Sequence, residues 1–163
     1  MTTDVPVVAE VLGNVGDFDP GVETVDELEL TADDRERAHR RVRSNGNREL
    51  IISLPRGAEL HDGDVVYVDN GVAVVVVAAP EDVLEVRPRT TREWALAAYQ
   101  LGNLHRPARF LADAILTPYD GSTQEMLAGL GLRVNRVTRG LVGERYGAVA
   151  HHHHSHPDEH GHD

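Results

Sequence analysis

The chain has 163 residues, 40% of them hydrophobic but only 4% aromatic, so Val, Leu and Ala must pack one ordinary domain or two small ones. Its net charge of −11 argues against a nucleic-acid partner, because binding phosphate needs clustered Lys and Arg. It has no cysteine, hence no disulfide framework and no thiolate metal site, and no apolar run approaches the ~20 residues of a membrane span.

All 16 cations are arginine, a bias that a GC-rich genome or adaptation to high salt would each produce. Met1-Thr2-Thr3-Asp4-Val5-Pro6 lacks the basic-then-apolar order of a signal peptide, so the expected location is the cytoplasm. Residues 5–12 read as a short strand ending in the turn pair Gly13-Asn14. An acidic stretch follows, with a turn at Asp19-Pro20-Gly21 and a second strand at 25–30. Residues 33–43 carry Arg35, Glu36, Arg37, Arg40, Arg41 and Arg43. A helix there would have almost no apolar face, so a solvated strand pair or loop is expected.

Ser44-Asn45-Gly46-Asn47 is a turn cluster, and residues 49–54 form a strand stopped by Pro55 and Gly57. After a turn at His61-Asp62-Gly63-Asp64, the runs 65–68 and 72–78 flank Asp69-Asn70-Gly71. Asn-Gly between β-branched runs is a strong hairpin signal, because a type I′ turn needs positive φ at both centres. Val74 to Val77 is continuously apolar, as in a strand buried on both faces. Repeated short strands with regular turns predict a small β sandwich or barrel.

After Pro80 the pattern changes. Residues 83–86 are a strand ended by Pro88, and Thr90-Thr91-Arg92-Glu93 reads as a capping box. Trp94, Ala97, Ala98 and Leu101 follow at helical spacing, and Gly102-Asn103 ends the helix. Short strands are expected at 110–111 and 114–116. Ser122-Thr123-Gln124-Glu125 opens a second helix with Met126, Leu127 and Leu130 as its buried face; Gly131 ends it and residues 132–137 close with a strand. The order β-α-β-β-α-β is the ferredoxin-like split motif.

The expected fold is therefore α+β. A small all-β domain (residues 1–80) precedes a ferredoxin-like domain (81–140), with Pro80-Glu81-Asp82 as the boundary, and a disordered His-rich tail (141–163) follows. Leu141 to Ala150 reads as weakly ordered. Seven of the ten histidines lie in the last thirteen residues: His151, His152, His153, His154, His156, His160 and His162. Neutral imidazoles on a flexible strand suit Zn, Cu and Ni. His39 and His61 sit in charged or turn contexts and read as surface residues. His105 lies just past a helix end, where an imidazolium also suits the helix dipole. Nothing in the chain forms a catalytic constellation or a Gly-rich phosphate loop.

Ala98-Tyr99-Gln100-Leu101-Gly102-Asn103-Leu104-His105-Arg106-Pro107 resembles the central motif of the urease accessory protein UreE family, Ala-Tyr-His-Leu-Gly-Asn-Arg-His-x-Pro. Gln100 and Leu104 replace a His and an Arg of that motif. Glu49-Leu50, Leu54-Pro55-Arg56-Gly57, Leu60 and Asp62-Gly63-Asp64 are similar to the family's first domain. Tyr119-Asp120, Met126-Leu127 and Leu130-Gly131 are similar to its second helix. No histidine lies near Tyr119 to Gly121, where some members place further ligands.

The resemblance implies a non-enzymatic nickel metallochaperone that works as a homodimer. His105 from two copies would share one metal, and the tail histidines would collect it. It also implies delivery of Ni(II) to the apo-urease complex through the urease GTPase accessory protein, with Zn(II) or Cu(II) able to bind in vitro. The residues alone leave two other readings open: a metal-storage or zinc-buffering protein without a delivery partner, and a peptide-binding module whose tail is incidental. Ligation requires neutral imidazole, so metal affinity should fall as pH drops through ~6.5. Isothermal titration one unit above and one unit below that value checks this, and pH-independent binding would sink it.

Overall fold

The computed structural model describes residues 5–16 and 21–145. Asp19-Pro20 of the expected first turn and the histidines from His151 onward lie outside the described residues. Along the chain come β1 (Val7–Val8), β2 (Gly13–Asn14), β3 (Thr24–Leu30), α1 (Ala32–Arg35), β4 (His39–Arg43), β5 (Glu49–Ser53), β6 (Asp64–Asp69) and β7 (Val72–Ala78). They are followed by β8 (Pro80–Val86), α2 (Thr91–Asn103), β9 (Arg109–Phe110), β10 (Ile115–Pro118), α3 (Gly121–Gly129) and β11 (Val134–Gly140). The architecture is α+β, mostly strands, in three sheets.

Two sheets, in the orders β1-β5-β4 and β2-β6-β7-β3, share one core of Leu28, Leu50, Ile52, Leu60, Val74 and Val76. Each of these side chains is fully buried, contributing roughly 1.5–3 kcal/mol of transfer free energy. Ala73 and Val75 point the other way, into a smaller cluster with Val65. The valine run is thus buried on both faces, as its pattern predicts. Asn70 and Gly71 take φ values of 49° and 75° at the β6–β7 turn, in keeping with a type I′ hairpin.

Two local expectations fail in this half. Gly13 and Asn14 form a strand against Val65 and Asp64 instead of a turn, and the Asn14 side-chain amide donates to Asp62 O at 2.8 Å and Asp64 Oδ1 at 3.0 Å. The charged stretch 33–43 is half as expected, since His39–Arg43 is a strand paired with β5, but it opens in a single helical turn capped by Thr31, whose hydroxyl accepts from the Asp34 N–H. The N-terminal half is therefore not purely β. This turn needs no apolar stripe, because what it buries is Ala32 and the whole of Arg35, whose guanidinium donates to the Leu141 carbonyl.

In the second half the sheet order is β11-β8-β10-β9, with all neighbours antiparallel. Helices α2 and α3 pack on one face over Val86, Ala97, Leu101, Ile115, Leu127 and Leu132. On the opposite face Val83, Leu116 and Leu141 pack against Ala32 of α1, which joins the two halves. Pro80-Glu81-Asp82 is no loose boundary: it begins β8 and pairs with Gly140, Arg139 and Thr138, leaving only Ala79 between β7 and β8.

The helix ends differ in detail from the sequence reading. The Thr90 hydroxyl accepts from the Glu93 N–H at 3.2 Å, but the Glu93 carboxylate takes the Arg89 N–H at 2.7 Å, one residue beyond a regular box. The cap of α3 is Asp120 rather than Ser122; its carboxylate accepts from the Thr123 N–H and from the Ser122 hydroxyl, both at 2.7 Å. Leu130, expected inside, is 42% exposed. Residues 141–145, expected to be weakly ordered, are packed: Leu141 is buried, and Glu144 exchanges two backbone hydrogen bonds with Phe110.

Asp120 carries a prediction. Hydrogen bonds from Ser122 and Thr123 lower its pKa to about 2. A carboxyl whose folded pKa lies below its unfolded ~3.9 stabilises fully above that value and loses the contribution as pH falls through the folded pKa. Asp120→Asn keeps the capping oxygen without the charge. Its thermal midpoint should lie below the parent's at neutral pH, with the gap closing as pH falls from ~4 to ~2. A gap that persists at the acid end would count against the charge as its source.

Candidate metal centre

His105 is held by the way α2 stops. Leu104 caps the helix, the His105 N–H donates to Gly102 O at 3.0 Å, and the Arg106 N–H donates to Leu101 O at 3.0 Å. This pair of bonds is a Schellman motif, which requires a left-handed residue just past the cap. His105 takes that conformation, with φ 51°. Helix α3 ends the same way, through Gly131 to Ala128 O and Leu132 to Leu127 O, and there the left-handed residue is glycine, with φ 81°. An L-residue in this region costs roughly 1–2 kcal/mol. An outlier of this kind is a reason to look for function.

The next residue locks the corner. Arg106 Nη2 donates to Pro118 O at 2.9 Å, tying the segment after α2 to β10. The His105 side chain is exposed, and among the described residues no hydrogen bond or ion pair engages its ring. Tyr99, in the C-terminal half of α2, and its cap Leu104 are 64% and 47% exposed. A groove of about 540 Å³ runs beside it, lined by Glu36, Leu101, His105, Arg106, Phe110 and Arg145.

A cavity of about 960 Å³ lies between the halves and shares Glu36 and Arg145 with this groove. Its charged wall is a network. Buried Arg109 reaches Glu36 at 3.0 Å and Glu59 at 2.5 Å, and Arg145 reaches Glu36 at 3.0 Å and Glu59 at 3.8 Å. Arg35, 2% exposed, donates through Nη2 to Leu141 O at 2.6 Å. Burial pushes the Arg35 pKa below its ordinary value, and the charge of Arg109 pushes it the same way.

Of the residues expected to bind metal, the structure places His105. His151, His152, His153, His154, His156, His160 and His162 lie outside the described residues. Among the described residues no group of three or more His, Cys, Asp or Glu side chains is arranged to hold a metal ion. His39 and His61 are exposed; His39 Nδ1 lies 3.3 Å from Ser53 Oγ, and His61 Nδ1 lies 3.7 Å from Asp64 Oδ2. Glu36, Glu59, Arg109 and Arg145 were not singled out from sequence as a cluster. Glu36 lay in the charged stretch 33–43, read there as solvated, and nothing local marked the other three.

The UreE urease accessory protein family, N-terminal domain, matches residues 8–79, and its C-terminal domain matches residues 81–163. The chain belongs to the UreE family. The urease accessory protein UreE of Deinococcus radiodurans is 44% identical over 117 residues, covering 72% of this chain and 76% of that protein. UreE of Synechococcus sp. JA-3-3Ab is 40% identical over 75% of this chain and 81% of its own. UreE of Bacillus sp. TB-90 is 29% identical over 90% of this chain and 99% of its own.

UreE is a urease accessory protein, a non-catalytic nickel chaperone in urease maturation. One imidazole donates one ligand, so His105 by itself cannot hold a metal ion. The left-handed backbone of His105 carries a stability prediction. His105→Gly should raise the unfolding free energy by about 0.5–1 kcal/mol, the strain relieved less the extra freedom of glycine in the unfolded chain. Urea unfolding measures it, and a destabilised variant would show that the ring packs against the body.

Proposed function

We propose that this chain carries Ni(II) as cargo for urease as a homodimer, with His105 and His105 of the partner subunit donating to one ion across a two-fold axis. An isologous contact brings the same residue of each copy to the axis without further sequence. The observation that carries this reading is the imidazole at the left-handed end of α2, where α3 has glycine. Exposed Tyr99 and Leu104 beside it supply apolar area for such a contact.

Two imidazoles leave Ni(II) short of ligands. In this reading His151, His152, His153, His154, His156, His160 and His162 collect metal and complete the shared site. Arg145, the last described residue, lines the groove that His105 lines, and His151 follows six positions later. That tether spans at most about 22 Å when fully extended. The donors do not choose nickel by themselves, because imidazole binds Cu(II) more tightly, so Zn(II) and Cu(II) compete in vitro.

We assign residues 1–80 to docking of the urease GTPase accessory protein and the apo-urease complex, residues 81–140 to a ferredoxin-like metal-binding domain, and residues 141–163 to the metal-collecting tail. The proposed setting is the cytoplasm; among the described residues no helix is long and apolar enough to cross a membrane. His105→Ala in a chain lacking residues 151–163 should remove one ion per dimer while circular dichroism stays unchanged. The same stoichiometry before and after that substitution would refute the shared site.

A further inference from the structure

The five residues after β11 are fastened to the body more firmly than the end of a finished fold requires. Leu141 is buried, and its carbonyl accepts from buried Arg35. Gly143 has φ 122°, and a Cβ there would sit 2.7 Å from Phe110 O, so only glycine lets the chain lie this close to β9. Glu144 then exchanges two backbone hydrogen bonds with Phe110, at 2.8 and 3.0 Å. Arg145 finally binds Glu36 and Glu59, both from the N-terminal half.

Covering the edge strand β9 explains the backbone bridge, since an open edge invites pairing. It does not explain Arg145, which lies past the bridge and binds side chains of the other half. What Arg145 does is fix where the chain leaves the body, at the groove that contains His105.

We propose that Gly143 and the Arg145–Glu36–Glu59 ion pairs form a clamp that fixes the root of the histidine segment at the His105 groove and so sets the effective concentration of its imidazoles at His105. This rests on the reading of His105 as a metal ligand. Clamped at Arg145, the tether to His151 is six residues; released as far as Leu141, which stays buried, it is ten. Effective concentration falls roughly as the −3/2 power of tether length, so release lowers it about twofold for one tail and about fivefold when both tails of a dimer coordinate.

The test uses the full-length chain and Ni(II) alone, with the tightest dissociation constant and the total stoichiometry as readouts. Arg145 is 43% exposed, so Gly143→Ala with Arg145→Glu opens the clamp without removing a core side chain. This variant should bind the same number of ions, with the tightest Kd weakened about two- to fivefold. Adding His105→Ala to it should cost less affinity than His105→Ala costs the parent, and Arg145→Lys should keep parental affinity. A flexible Gly-Ser insert after Arg145 leaves the clamp intact and lengthens the tether, so it should weaken binding in the same way even if the first variant does not fold. Parental Kd and undiminished His105 dependence in the opened variant, or indifference to the insert, would overturn the clamp. If His105→Ala alone leaves the tightest Kd of the parent unchanged, the His105 reading itself fails and the clamp with it.

Discussion

One buried guanidinium ties the two halves together. Arg109, on the edge strand β9, is 3% exposed and meets Glu36 and Glu59, both from the N-terminal half. Two carboxylates from one half converge on one cation of the other, and Arg145 adds a second cation at the rim. Breaking a buried pair by removing one partner costs about 3–5 kcal/mol, because it strands a charge. Exposed pairs such as Arg37 with Asp33 contribute only about 0–1 kcal/mol. The junction therefore resists sliding, and the single residue between β7 and β8 removes most of the slack a linker would give. The groove beside His105 draws Glu36 from one half and Leu101, Arg106 and Phe110 from the other, so its shape depends on that junction.

The two helices of the second sheet make an internal comparison. Both end in the same hydrogen-bonded corner, and both need a left-handed residue there. At the end of α3 glycine meets the need without strain. At the end of α2 the chain spends the position on an imidazole and holds it with the Arg106 bond to Pro118. A histidine on the last turn would point back along the helix, since Cβ bonds tilt toward the N-terminus. Placed past the cap, it projects from the corner itself, free of the ridge of side chains. The strain and the exposure have one explanation in a ring presented outward.

The strand runs were legible because hydrophobic pattern and turn chemistry agreed. Val74 to Val77 could only be a strand buried twice, and Asn70-Gly71 could hardly be anything but a turn. The helix ends were legible in kind but not in position. Asp120 outcompeted Ser122 as the cap because it accepts from both Thr123 and Ser122. The junction was not legible at all. Arg35 and Glu36 lie far in sequence from Glu59, Arg109 and Arg145, and a charged residue that will be buried against a distant partner looks the same in sequence as one that will be solvated. His105 stood out through the resemblance of the stretch around it. Its conformation did not, since no local pattern marks a histidine as left-handed.

A carrier must bind an ion tightly enough to hold it and loosely enough to give it up, and these demands conflict in a closed cage. A fixed pair of imidazoles with tethered ones around it separates the two. On the proposed reading the fixed pair gives the ion its address, while affinity comes from effective concentration rather than from ligand geometry. Tethered ligands can leave one at a time, each step against a small fraction of the total binding free energy, so the ion passes to an acceptor without one large barrier. On that reading selectivity is weak, because imidazole ligands suit several borderline metals. Selection of nickel would then fall to a partner that docks on the body. Fixing the orientation of the two halves is useful for that purpose, since a partner that reads both surfaces at once receives the His105 groove at a constant position.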